Sequence, residues 1–281
     1  MTILVTIIYA VSTMAQQADD DYPLVVRDAM RAMQKDSLQK ADSLIHEAIH
    51  IRPADMGNAV LYQYLGEIRM RQKRTDEALE AFNIGLQMLP SSQSILLDRA
   101  SLYIYRNENE RALHDLDDCL TLNPDEKQAL FYRAYIYTTQ HLNHKARLDY
   151  ERLLRLEPEN REARVGLALL NAADARPQEA MDQIDVVIRY WPEDATGYAV
   201  RGGFYQKRRD YERALKDMNK ALEFEPGNPD FYISRAMLYK EFNKVKLCRD
   251  DMRRAVQLGA DPQDCAQMLL SDNKVGKNKK K

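Results

Sequence analysis

The sequence predicts an all-α chain, stacked as an α-solenoid of about seven helix-turn-helix repeats and closed by a short C-terminal capping helix. Three observations predict it. Only 10 Gly and 10 Pro occur among 281 residues, with 45% hydrophobic and 30% charged side chains; runs rich in Ala, Leu, Glu, Arg and Lys then favour helix over strand. Pro90, Pro124, Pro158, Pro192 and Pro226 stand 34 residues apart. The same interval separates Ala78, Ala112, Ala146, Ala180 and Ala214, and a second small-residue series runs Gly66, Ala100, Ala134, Ala168, Gly202 and Ala236.

Each repeat is predicted to be a helical hairpin. Its first helix carries Ile68, Leu102, Ile136, Leu170, Phe204 or Leu238, and its second Leu86, Leu120, Leu154, Ile188, Leu222 or Val256. The small residues let the two helices approach closely, the large ones fill the seam, and the proline ends the second helix. Six repeats follow in register: 59–92, 93–126, 127–160, 161–194, 195–228 and 229–262. A weaker first repeat occupies 22–55, with Ala29, Ala41, Ala48 and Pro53 in phase and residues 56–58 inserted after it. Beyond the array, residues 263–273 are predicted as the cap, with Ala266, Met268, Leu269 and Leu270 covering the last apolar face. The final stretch, 274–281, reads as a basic, disordered tail.

These features resemble the tetratricopeptide repeat, a 34-residue helical pair with small and aromatic residues at fixed places, and in particular its exported bacterial scaffold members. Its late first-helix tyrosine is matched by Tyr103, Tyr137, Tyr205 and Tyr239, while Arg69 and Asn171 depart from the pattern. The resemblance implies a right-handed superhelix whose concave face, lined by the first helices, binds a peptide or protein without catalysis. On this chain the implied lining is Leu97, Ser101 and Tyr105, then Phe131, Tyr135 and Thr139, then Val165 and Leu169. Ile104, Thr138 and Ala172 accompany them, giving a neutral, mildly apolar stretch. The alternative is that these aromatics complete the packing between first helices. The lysine, asparagine and arginine clamp of chaperone-binding members is not matched: Val26, Met30 and Arg27, or Gln63, Glu67 and Tyr64, stand in its place.

One pairing is legible within the repeats. Arg99, Arg133, Arg201 and Arg235 hold the seventh place of their repeats, and Asp115, Asp149, Asp217 and Asp251 the twenty-third. Where the arginine is lost the aspartate is lost too, as in Leu65 with Ala81 and Leu167 with Gln183. An ion pair joining the two helices of one hairpin explains this joint change.

The chemistry-bearing candidates are few. His46-Glu47-Ala48-Ile49-His50 matches the zinc-peptidase pattern of two histidines one turn apart around a glutamate. The repeat register, however, gives Ala48 the buried place, which turns His46, Glu47 and His50 toward solvent and supplies no third ligand. The zinc peptidase is therefore kept only as the alternative function. His141 and His144 fall in a turn; no phosphate-binding loop or serine nucleophile context occurs. No enzyme, cofactor or metal is predicted. Cys119, Cys248 and Cys265 form no disulfide framework, though an oxidising compartment would permit Cys248 to pair with Cys265.

Charge assigns no nucleic-acid partner. The formal net charge is -2, from 41 Lys and Arg against 43 Asp and Glu. Residues 263–281 run the other way, with five lysines and two aspartates, and offer at most weak attachment to polyanions or membrane surfaces. At the N-terminus an apolar run from Ile3 to Val11, followed by Thr13 and Ala15, reads as a signal peptide cleaved after residue 15. No Lys or Arg precedes that run, so the amino group supplies its charge or the true start lies upstream. Export to the periplasm or secretion follows, with no transmembrane segment expected.

Overall fold

The computed structural model describes residues 21–270. The expected leader (1–15) and basic tail (274–281) lie outside the described residues, as does the end of the expected cap. The described chain is all helix and turn. In chain order the helices are α1 (residues 21–34), α2 (Leu38–Ile51), α3 (Asn58–Arg71), α4 (Thr75–Met88), α5 (Gln93–Tyr105), α6 (Asn109–Leu122) and α7 (Lys127–Thr139). They continue with α8 (Asn143–Leu156), α9 (Arg161–Ala173), α10 (Pro177–Tyr190), α11 (Ala195–Lys207), α12 (Tyr211–Phe224), α13 (Pro229–Glu241), α14 (Val245–Gln257) and α15 (Pro262–Leu270).

The chain divides into two compact units, Met1–Ile136 and Tyr137–Lys281, with the boundary inside α7. In the first unit the weak opening repeat packs as its small residues predict. Ala29, Ala41, Ile45 and Ala48 are fully buried and share one cluster with Leu61, Leu65, Ile68 and Ala81 of α3 and α4. In the second unit Ala168, Ala180, Met181, Ile184 and Phe204 form one cluster, and Ala195, Ala214, Met218, Ala221 and Leu238 another. Buried alanines bring neighbouring helices into contact while the larger side chains fill the space between.

Each first helix ends alike. Asp36, Lys73, Asn107, His141, Ala175, Arg209 and Asn243 adopt left-handed backbone with φ between 55 and 62°. The next amide reaches back five residues, as from Arg74 N to Arg69 O (2.8 Å) and from Lys244 N to Tyr239 O (2.8 Å). This satisfies helix-end carbonyls and reverses the chain without glycine. Second helices from α2 to α12 end where proline forbids continuation; Leu89 N, one residue before Pro90, closes the last turn onto Gly85 O at 2.8 Å. The last, α14, ends instead ahead of Gly259 in left-handed backbone (φ 104°).

Glycine is required where a bulky residue sits opposite. A Cβ on Gly66 would lie 2.3 Å from the Phe82 ring, and one on Gly166 would lie 2.4 Å from the Tyr150 ring.

The cap helix α15 packs through only part of the expected set, with Leu269 joined by Cys265. Cys265 is buried against Cys248, Met252, Ala255 and Ala236, and Leu269 packs on the same cluster. Ala266 and Met268 are exposed. The physical reason is helical spacing: residues 265 and 269 lie one turn apart on one face, which leaves 266 and 268 pointing elsewhere. Lys240 of α13 donates to the Met268 carbonyl at 2.8 Å, tying the end of α15 down.

Candidate protein-binding face

The first helices are fixed by half-buried arginines that bond buried aspartates. In the third repeat Arg99 meets Asp115 through Nε and Nη2, both at 2.8 Å. In the sixth, Arg201 meets Asp217 at 2.7 and 2.9 Å, and in the seventh Arg235 meets Asp251 at 2.8 and 2.9 Å. The aspartates are buried. These two-pronged bonds match the flat guanidinium to the carboxylate. The hydrogen bond to Asp217, opposed by burial, raises the Arg201 pKa still further, so its charge is permanent. Arg133 and Asp149 lie on opposite sides of the boundary between the two units. Within its own unit Arg133 donates to Asp117 at 2.7 Å, and Asp149 is buried.

Sequence reasoning missed a third partner. The remaining nitrogen, Nη1, reaches back to the second helix of the preceding repeat: Arg99 to Asn83 (2.7 Å), Arg201 to Asp185 (2.8 Å) and Arg235 to Asn219 (2.9 Å). Each guanidinium therefore joins two repeats as well as two helices. The signal was present, since Asn83, Asp117, Asp185 and Asn219 obey the 34-residue period. Where the arginine is missing, other devices replace it. Leu65 and Ala81 are buried together, and in the fifth repeat Arg164, one turn earlier on α9, donates to Gln183 at 2.9 Å.

The residues expected to line a groove fall into three groups. Tyr105 (64% exposed) and Tyr135 (46%) in the first unit, and Leu169 (45%) in the second, present large side chains to solvent. Thr139 is also exposed. Ser101, Phe131 and Val165 are half-buried: Ser101 Oγ donates to the Asp98 carbonyl at 2.8 Å, Phe131 stacks at a tilt on Tyr132, and Val165 packs on the Ala168–Phe204 cluster. Leu97 departs from the expectation. It is buried, so its side chain is committed to packing and is not presented to a partner.

Beside Ser101 the first unit carries an acidic patch that the neutral sequence reading overlooked. Gln63 on α3 donates to Asp98 on α5 at 2.6 Å and accepts from Ser94 at 3.0 Å. Burial, then the charge of Asp98, pushes the Glu67 carboxyl up to about 7, with Arg71 opposing. Burial also raises Asp98, against its hydrogen bond from Gln63.

At the peptidase-like motif, His46, Glu47 and His50 are exposed, while Ala48 is fully buried and Ile45 lies beside it. His46 Nδ1 lies 2.9 Å from the Asp42 carbonyl oxygen, and its Nε2 faces the Arg69 guanidinium at 3.4 Å. A cation against the ring nitrogen opposes metal binding there. No group of three or more His, Cys, Asp or Glu suited to a metal occurs among the described residues. Cys119, Cys248 and Cys265 are buried free thiols; burial pushes Cys119 up to about 11. No helix among the described residues is long and apolar enough to cross a membrane.

Comparison with known proteins follows the same lines. Sequence profiles of the tetratricopeptide repeat match residues 97–141, 139–195 and 195–228. Sperm-associated antigen 1 of Rattus norvegicus is 40% identical over 78 residues, and that of Mus musculus 37% over 78. Each match covers 28% of this chain but only 9% or 8% of the relative's length. A tetratricopeptide repeat protein from Parabacteroides merdae superposes with a TM-score of 0.80 at 25% identity, covering 89% of this chain and 98% of that one. The Cut9–Hcn1 hetero-tetramer (TM-score 0.65, 12% identity, 88% of this chain and 55% of that one) shares the fold. So does pilF of Pseudomonas aeruginosa (0.63, 16%, 82% and 98%).

Proposed function

Since the chain is a tetratricopeptide repeat protein, we propose that it is a non-catalytic scaffold that binds a polypeptide partner on its first-helix faces. The observation that carries this reading is the exposure of Tyr105 and Tyr135, large aromatics at first-helix positions that packing leaves open. A tyrosine held on a rigid helix offers contact area at small entropic cost, which suits it to anchoring a partner. The leader-like N-terminus supports a place outside the cytoplasm, in the periplasm or secreted. N-terminal sequencing of the mature protein tests that placement.

Capture from envelope extracts, comparing the wild type with Phe131→Ala plus Tyr135→Ala, tests the binding face. The reading expects a specific protein recovered by the wild type and lost from the variant. Equal recovery by both would remove the face from the account. Stoichiometric zinc, lost together with peptidase activity on His46→Ala, would instead establish the metallopeptidase.

A further inference from the structure

A pocket of about 240 Å³ opens at the turn end of the fifth and sixth repeats. Its wall is made by Ala172 on α9, Ala175 in the turn, Pro177 at the start of α10 and Phe204 on α11, and its mouth carries Lys207 and Arg208. The sequence explains the space. Where Ala172 stands, other repeats have Met70, Ile104, Thr138, Gln206 or Lys240, and where Ala175 stands they have Lys73, Asn107, His141, Arg209 or Asn243. Two alanines at once leave a hollow against Phe204 that a longer side chain would fill. At this volume, below the roughly 300 Å³ at which drug-sized sites begin, the pocket takes one bulky side chain.

The charge at its mouth is uncompensated. Lys207 and Arg208 are exposed and make no side-chain hydrogen bond or ion pair among the described residues. The equivalent of Arg208 in the third repeat is Arg106, which bonds Glu108 at 2.6 Å and Asp76 of the preceding repeat at 2.7 Å. In the sixth repeat both acids are unavailable. Gln178 replaces the Asp76 equivalent and donates to Asp182, while Asp210 caps α12 and pairs with Arg213. Glu179, on the neighbouring turn of α10, is engaged by Arg176 at 3.7 Å.

We propose that this pocket anchors an acidic segment of a partner protein, with one Leu-, Met- or Phe-sized side chain against Phe204 and flanking carboxylates on Lys207 and Arg208. Apolar burial holds the anchor, and the two cations supply the missing counter-charge and select against basic segments. The proposal rests on the functional reading's premise that the partner is a polypeptide, and shares with its expected lining Ala172 but neither Tyr105 nor Tyr135.

The test is an amide NMR titration of the full chain with a short capped peptide of aspartates and glutamates around one phenylalanine. Saturable shifts are expected at Ala172, Ala175, Phe204 and Arg208. Binding should weaken at least tenfold in Lys207→Glu plus Arg208→Glu, whose side chains support no packing, and again in Ala172→Leu, which fills the pocket. Phe131→Ala plus Tyr135→Ala should bind the peptide like the wild type even if it loses the natural partner, which separates the two readings. Absence of saturable shifts overturns the proposal. So does equal binding when alanine replaces the peptide's phenylalanine, since that reduces the site to surface charge. Decanoate binding more tightly than the peptide would reassign the pocket to aliphatic carboxylates and likewise overturn it.

Discussion

Arg201 and Asp217 face each other across the sixth hairpin through two hydrogen bonds of 2.7 and 2.9 Å, and the same guanidinium reaches Asp185 in the repeat before. Removing Arg201 leaves the buried Asp217 without its counter-charge, and removing Asp217 leaves Arg201 only the half-exposed Asp185. Arg201→Leu or Asp217→Ala alone should cost about 3 kcal/mol of unfolding free energy. Arg201→Leu with Asp217→Ala recreates the Leu65 and Ala81 pairing of the second repeat, so the double variant should cost clearly less than the sum. Denaturant unfolding of the four proteins measures this coupling; strict additivity would deny that the two side chains act together.

Gly66 is dictated by Phe82. Gly66→Ala places a methyl 2.3 Å from that ring, which a packed seam accommodates only by shifting a helix, and should destabilise the chain by about 2 kcal/mol. Phe82→Leu, which mimics Leu116 at the same place of the third repeat, should restore most of the loss in the Gly66→Ala background. Thermal melts of the single and double variants check the rescue.

Glu67 makes stability depend on pH. Its folded-state pKa of about 7 lies above its usual 4.5, so between these values the folded protein holds a proton that the unfolded chain has released. Stability should fall as pH rises through this window, by about 1 kcal/mol once solvent screening of this half-buried group is allowed for. The raised Asp98 acts in the same direction. Glu67→Gln should melt higher than the wild type at pH 8 and together with it at pH 4. A constant gap across pH would refute the assignment.

The cap can be tested by truncation. Ending the chain after Pro262 removes Cys265 and Leu269 from the cluster around Met252 and should cost about 2 kcal/mol from lost apolar burial. Ending it after Asn273 should leave the melting temperature unchanged.

The repeat was legible because burial constrains every turn of the hairpin. Ala41, Ala48, Ala78 and Ala112 are all fully buried, and a position that admits only a small side chain repeats visibly. The bonds from Arg99 to Asn83 and from Arg201 to Asp185 were legible only as a recurrence of polar residues at the 34-residue period, because the contact itself depends on how one repeat stacks on the next. The period alone gives position and not contact. In the cap Leu269 packs as the sequence suggests, but Cys265 joins it in place of Ala266 and Met268, because a helix of 9 residues offers too few turns for spacing to choose between them. The repeat register places Leu97 on the lining, but its neighbours bury it, and the acid pair Glu67 and Asp98 leaves no trace in the sequence because it forms between helices of different repeats.

The central claim, that a protein partner docks on the first-helix face, is tested most directly by site-specific photo-crosslinking in the cells that make the protein. Benzoylphenylalanine would replace Tyr135 on α7 in one strain and Leu148, an exposed residue of the second helix α8, in another. The account predicts a discrete covalent adduct from position 135 and none from position 148. An adduct from position 148 alone, or from neither, would contradict it.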